Sequence, residues 1–324
     1  MRVSCAFPPS LATPELAAVA ESLGYDRIWL YDSPALYHDI WVTLARIAER
    51  TSTIGLGTAV LVPNNRHPLV TASAIATIED LAPGRLAIAI GTGFTGRMAM
   101  SQPALPWRFV RTYVEQLQAL LRGEAIDIDG GMCQMIHPTG FAPARPIDVP
   151  LVIAANGPKG FEVASELGAG VMTVGGGNPD FDWCATLAFG TVLAPGESPT
   201  DARVIAAAGP ALTVIYHAMY EGDPASVETL PGGPEWRARV DAIPERLRHI
   251  ALHEDHLVRV TERDAPVVDG NLLPAFTWTG TAPEVRARAE GAAASGVTEL
   301  LYAPMGPDIE RELREFFEAA TATA

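Results

Sequence analysis

Lysine is almost absent from this 324-residue chain: Lys159 stands alone among 23 basic residues, and the rest are arginine. Set against 38 acidic residues, they leave a formal net charge of −15. That balance argues against nucleic acid and anionic membrane surfaces as partners, because phosphate backbones are held by surplus Lys and Arg. Cysteine is scarce too. Cys5, Cys133 and Cys184 form neither a CxxC nor an even set, which speaks against a disulfide framework and for a reducing cytoplasm. No apolar run approaches the roughly 18–20 residues that span a bilayer, and Met1–Pro9 lacks the apolar stretch of a signal peptide. These absences predict a soluble, cytoplasmic protein acting on a small molecule. Charged residues are only 19% of the chain and hydrophobic ones 48%, ample for one large core.

What is present is alternation. A short apolar strand over 3–7 ends at Pro8-Pro9, and Thr13-Pro14 reads as an N-cap with a first-turn proline. Leu16, Val19, Ala20 and Leu23 then recur at helical spacing up to Gly24. Further strands are predicted at 26–31, 54–61 and 85–90, separated by helices over about 39–50 and after His67-Pro68. A fourth helix carries Val110, Val114, Leu117 and Leu121. The pattern resumes with strands at 151–155 and 171–174 around a helix at 158–167. A seventh strand is placed at 189–193, and an eighth at 297–303 after the capping box Thr281-Ala-Pro-Glu284. A final helix buries Ile309, Leu313, Phe316 and Phe317. Eight βα units predict an α/β fold, a (β/α)8 TIM barrel. Residues 1–324 read as a single domain with insertions at about 123–149, after the fourth helix, and about 196–280, around strand seven. The second insertion carries helical patterns at about 200–220 and 234–250.

In such a barrel the chemistry lies on loops leaving the C-terminal ends of the strands. Those loops hold Asp32-Ser33, Pro63–His67, Gly91-Thr-Gly-Phe-Thr-Gly96, Asn156-Gly-Pro-Lys-Gly160 and Gly175-Gly-Gly177. The loop at 156–160 opens a helix with free N–H groups and the chain's lone lysine, a seat suited to phosphate. A plain strand-to-helix turn is the alternative, and the neighbouring glycines at 175–177 favour phosphate. Gly91, Gly93 and Gly96 match GxGxxG. However, Pro103 interrupts the segment that should be helical, and the acid at the right distance, Glu115, is on a helix rather than ending a strand. That loop reads as a wall along which cofactor or substrate approaches. His249, His253 and His256 are spaced for one helix face, yet HEDH is not HExxH, so ordinary core or surface histidines are expected and no metal site is assigned. Asp32 reads either as a loop cap or as a carboxylate that orients a ligand or moves a proton.

Several runs together resemble the luciferase-like flavin oxidoreductase family, the bacterial luciferase superfamily. They are Glu21–Asp32 (ESLGYDRIWLYD), Thr53–Val60 (TIGLGTAV) continuing to Arg66-His67-Pro68, Gly84-Arg85 with Gly91-Thr-Gly93, Ala154–Lys159 and Gly175-Gly176. The resemblance covers most of residues 1–177 and returns at 278–318. It implies a barrel that binds coenzyme F420, or alternatively FMN, in reduced form. In deazaflavin-using relatives a bulge with a non-prolyl cis peptide props the ring, which would fall at Ala59-Val60 here. The cofactor phosphate would lie on Asn156, Gly157, Gly175 and Gly176, with Lys159, Gly160 and Gly177 beside it. Thr58 and Thr92 join them as cofactor-side candidates. Asp32 matches a position next to the ring and is the catalytic candidate. Several such relatives follow that Asp with His, where this chain has Ser33.

Three functions follow as expectations. The first is F420-dependent hydride transfer to a C=C, C=N or C=O group, with Asp32 or a pocket histidine assisting protonation. The second is an FMNH2-dependent monooxygenase of the same family. The third is a phosphate-binding barrel without redox chemistry, an aldolase or isomerase, which the position of Lys159 on a loop disfavours. The resemblance also implies a homodimer paired through helices near strands two and three.

Overall fold

The structure, a computed structural model, describes residues 1–322. β1 (Arg2–Phe7), α1 (Thr13–Leu23), β2 (Arg27–Leu30), α2 (Ile40–Arg50), β3 (Gly55–Leu61), α3 (Pro68–Leu81) and β4 (Leu86–Ile90) form the first half. A short α4 (Phe94–Met98) and then α5 (Trp107–Leu121) follow, with a hairpin of β5 (Ile126–Ile128) and β6 (Gly131–Cys133). β7 (Leu151–Ala154), α6 (Pro158–Glu166), β8 (Gly170–Val174) and β9 (Cys184–Phe189) continue the barrel. An inserted layer holds α7 (Ala202–Gly222), α8 (Gly233–Asp241), α9 (Glu245–Leu252) and α10 (Leu273–Phe276). α11 (Ala282–Ala294), β10 (Glu299–Ala303) and α12 (Ile309–Thr321) close the chain. The eight barrel strands run in the closed order β1-β2-β3-β4-β7-β8-β9-β10, all parallel. This is the (β/α)8 barrel the alternation implies.

Strand periodicity sorts the core into two shells. Cys5, Ile28, Leu30, Leu56, Ile88 and Leu300 face outward onto the helices. Ala6, Trp29, Ala87, Ala89, Ala185 and Leu301 face inward. The inner wall is built from small side chains because one large ring occupies it: a Cβ added at Gly57 would overlap Trp29. The floor is polar. Glu299 accepts from Trp29 Nε1 at 2.8 Å and from Trp183 Nε1 at 2.7 Å, and pairs with Arg2 at 3.1 Å.

Several local expectations need correction. The seventh strand is Cys184–Phe189, earlier than 189–193. Its Cys184, Ala185 and Ala188 carry little β-propensity on their own, and pairing with β8 and β10 is what holds them in the sheet. Val192 makes an isolated bridge to Gly280 instead. Thr13 is the first helical residue of α1, with Ala12 at the cap position; its hydroxyl closes the preceding turn by accepting from Ser10 N and donating to Pro8 O. The helix expected over 234–250 breaks into α8 and α9 at Pro244, which lacks the N–H a continuous helix needs. The first insertion contains the β5–β6 hairpin.

α7 is 21 residues long and, by length and composition, apolar enough to cross a membrane, against the expectation of no such run. Val204, Ala208, Leu212 and Tyr216 bury its apolar face against Trp236, Leu252 and Leu273 in a core belonging to the insertion. The insertion is tied to the barrel by Arg203 Nη1 on Glu312 Oε1 at 2.8 Å and by the Tyr37 hydroxyl on the His256 carbonyl at 2.5 Å.

Candidate functional site

The C-terminal rim brings the predicted loops together. β2 delivers Asp32 one residue beyond Tyr31, buried at 4% exposure. Its Oδ2 accepts from Arg66 Nη1 at 2.7 Å and from Val62 N at 3.3 Å. Arg66 reaches on to Asp39 at 3.0 Å, and Asp39 caps α2 through the N–H groups of Trp41 and Val42. Burial works against the charge on Arg66, but Asp32 and Asp39 outweigh it and hold the guanidinium above its ordinary range. Asp32 is thus an anchored anion that fastens the loop after β3 to the loop after β2. Arg66 was in a quoted motif, but spacing alone assigned it no partner.

At the end of β3 the pairing with β4 breaks between Thr58 and Leu61, and the Ala59–Val60 peptide is cis. Ala59 and Val60 pack inside the mouth beside Tyr31 and Ala154. The Thr58 hydroxyl is committed to β4, donating to Ala89 O at 3.0 Å and accepting from Ala89 N at 3.1 Å.

The loop after β4 leans on these elements. A Cβ at Gly91 would overlap Val60, one at Gly93 would overlap Val62, and one at Gly96 would sit 3.1 Å from the Asp32 carbonyl and 3.4 Å from Ser33 Oγ. Gly93, at φ 80°, opens the short α4, which ends at Met98, ahead of the segment that Pro103 interrupts. Thr92 lies half-buried between the glycines and its carbonyl accepts from Leu105 N at 2.8 Å. The glycines therefore serve close packing around the mouth.

Asn156 Oδ1 accepts from Val174 N at 2.7 Å, joining the loop after β7 to the loop after β8. α6 begins at Pro158 with Gly157 at its cap and no side chain capping it. At Gly157, Gly175 and Gly176 an added Cβ would meet no atom within 4 Å, so these backbones face open space. Lys159 is exposed at the same helix start. Gly160 and Gly177 differ: a Cβ would overlap Trp107 at the first and the Ser295 carbonyl at the second. Packing by itself accounts for those two glycines.

Next to Arg66, a cleft of about 660 Å³ opens between the start of α3 and the start of α5, lined in part by His67, Arg108, Phe109 and Tyr113. Burial pushes the Tyr113 phenol up to about 12, while its hydrogen bond with Thr71 works the other way. The three spaced histidines do not converge. His249 is half-buried on α9, His253 Nε2 lies 2.7 Å from Glu221 Oε1, and His256 is buried beside His253 and His217. Among the described residues no group of three His, Cys, Asp or Glu side chains is arranged to hold a metal ion.

The family model described as luciferase-like monooxygenase matches residues 10–299. The chain belongs to the luciferase-like family. Among characterised members of similar sequence, the 5,10-methylenetetrahydromethanopterin reductase of Archaeoglobus fulgidus is 26% identical, with 97% of each chain covered. The F420-dependent glucose-6-phosphate dehydrogenase of Beutenbergia cavernae is 34% identical over 49% of this chain and 51% of its own. An F420-dependent secondary alcohol dehydrogenase, solved with an F420–acetone adduct, superposes at a TM-score of 0.69 and 17% identity, covering 99% of this chain and 100% of that one. Within this luciferase-like barrel, Ser33 is buried directly under Gly96, so the position where several deazaflavin users carry His has little room here.

Proposed function

We propose that this luciferase-like protein is an F420-dependent oxidoreductase that transfers hydride between the reduced deazaflavin and an unsaturated small molecule. The observation that carries the reading is the open cradle of Gly157, Gly175 and Gly176, drawn together by the Asn156–Val174 hydrogen bond at an uncapped helix start. Such a cradle fits a phosphate: backbone N–H groups and the helix dipole face it, and Lys159 adds a full positive charge. Sequence similarity to F420-dependent glucose-6-phosphate dehydrogenases over about half of the chain favours F420 over FMN. Asn156, Gly157, Lys159, Gly175 and Gly176 would hold the phosphate, and Ala59 and Val60 would back the ring.

When bound, the reduced deazaflavin supplies a hydride, two electrons and no proton. The chain's residues do the rest. Asp32, held by Arg66, fixes the loops that frame the ring. The apolar inner wall excludes water from the reacting carbon, and residues 1–324 act as one domain with the 196–280 insertion roofing the mouth. Titration with F420 and with FMN, followed by cofactor fluorescence, tests the reading. Saturable F420 binding is expected; micromolar FMN binding without F420 binding overturns it, and oxygen-dependent turnover with FMNH2 would then mark a monooxygenase.

The surroundings of the site support a cytoplasmic homodimer. All three cysteines are free, two of them buried. Val42 on α2 and Val70 on α3 are 63% and 57% exposed on the face after strands two and three, the kind of apolar surface that pairing covers. Light scattering that returns the monomer mass would contradict the dimer.

A further inference from the structure

We propose that Tyr31 is the proton donor of the reaction, its hydroxyl hydrogen-bonding the acceptor atom of a neutral, apolar substrate in the barrel mouth. The assignment rests on the hydride-transfer reading above and goes beyond it in naming a residue and a substrate class.

Tyr31 follows Trp29 at two-residue spacing on the same strand line, so its ring points inward one layer above the Trp29 plug. Like Ala59, Val60, Ala154, Leu187 and Phe189 it packs against the inner cluster, with the Tyr37 ring 6.1 Å away. Those cluster neighbours are apolar, and the Tyr31 hydroxyl brings a polar atom among them. The hydroxyl is buried and has no hydrogen-bond partner among the described residues. A buried hydroxyl without a partner costs free energy, and a ligand bearing an acceptor atom removes that cost.

Three other polar groups near the mouth are already engaged. Asp32 is held by Arg66, the Thr58 hydroxyl is bonded to Ala89 on both sides, and the Tyr37 hydroxyl donates to the His256 carbonyl. Ser4 also lacks a partner, but it pairs with Leu301 below the level where Ala6 meets Trp29, sealed from the mouth by that ring. Burial holds the Tyr31 phenol far above its ordinary range, so it is protonated before the substrate arrives.

The step balances. In a carbonyl substrate the C=O π bond breaks as hydride adds to carbon, which is reduced by two electrons supplied by reduced F420. The electron pair moves onto oxygen, and the Tyr31 proton forms the new O–H bond. The tyrosinate regains a proton from water when the mouth empties. The apolar side chains around Tyr31 favour an uncharged reacting group, so ketones, enones and imines are the substrates named here.

The test uses carbonyl-labelled cyclohex-2-enone and the Tyr31→Phe variant. Because the hydroxyl has no partner within the protein, Tyr31→Phe should melt no lower than wild type and bind F420 equally. Infrared spectra of the bound enone, with and without F420, should show the carbonyl stretch displaced to lower wavenumber in wild type and restored in the variant. Enone affinity should fall about 5–10-fold. Oxidation of reduced F420 by the enone should slow by about 100-fold or more and lose its solvent isotope effect. An unshifted carbonyl in wild type, an unchanged shift in the variant, absent enone binding, or equal rates overturns the inference. Absence of F420 binding to wild type overturns the cofactor reading instead, while the cofactor-free infrared arm still reports on Tyr31.

Discussion

Arg66 Nη1 lies 2.7 Å from Asp32 Oδ2, an ion pair whose carboxylate side chain is 2% exposed and whose guanidinium is 15% exposed. It joins the loops leaving β2 and β3, and so decides where the mouth of the barrel is framed.

Removing one member of such a pair strands the other charge in the interior. Arg66→Met should lower the free energy of unfolding by about 3 kcal/mol, as for other half-broken buried pairs. The double variant Asp32→Asn with Arg66→Met should recover much of that loss, since no uncompensated charge remains. Urea titration of the three proteins measures both quantities, and full additivity of the single effects would contradict the pairing.

The glycines of the phosphate seat should separate by stability. At Gly176 an added Cβ meets nothing, so Gly176→Ala should melt like wild type while weakening F420 binding by crowding the cradle. At Gly160 the same change overlaps Trp107 and Ala155 and should destabilise by about 1–3 kcal/mol, the range for overpacking. Equal melting temperatures for the two variants would show that the two glycines do not differ in this way.

Glu299 lies on the barrel floor and serves two indole N–H groups and Arg2. In Glu299→Gln the amide can accept from one indole, but its NH2 end faces the other donor. A loss of about 1–3 kcal/mol is expected from the orphaned group, with no change in F420 affinity because the floor lies beneath Trp29. Unfolding curves and a cofactor titration together check it.

Stability should fall with acid above the carboxylate range. Burial, and the neighbouring His253 and His217, push His256 down from 6.5 to about 3. Between those values the unfolded chain binds the proton and the folded chain does not, so stability drops as pH is lowered from about 6.5. Facing groups are Glu221, which pairs with His253, and Asp264, which is held below its ordinary range: burial opposes this but is outweighed by hydrogen bonds from His217, Arg263 and Trp236. The contribution of Asp264 is lost in the same direction, but in a lower window. His256→Gln should flatten the dependence between pH 6.5 and 4 by up to about 1.4 kcal/mol per pH unit. Identical slopes for the two proteins would contradict it.

Most of the barrel was legible before the fold was seen. The strands at 3–7, 54–61, 85–90 and 171–174 read clearly because each is a short apolar run closed by a turn residue, and the helices between them carry apolar residues at helical spacing. The seventh strand was misplaced because Cys184, Ala185 and Ala188 owe their place to pairing with β8 and β10, a fact of the closed sheet rather than of the segment. The rim loops were found because glycines and a helix start mark them. Their internal division was not, since Gly157 and Gly160 look alike until Trp107 packs on the second.

By itself the sequence determined the alternation, the closed parallel barrel, the loops that carry the site and the family they resemble, because these depend on periodicity and on residue types within one segment. Only the tertiary structure decided that Asp32 is bound to Arg66, that Gly160 and Gly177 answer to packing, and that the Tyr31 hydroxyl is buried without a partner. Each of those depends on residues from different βα units meeting at one end of the barrel, and spacing along a single segment carries no record of such meetings.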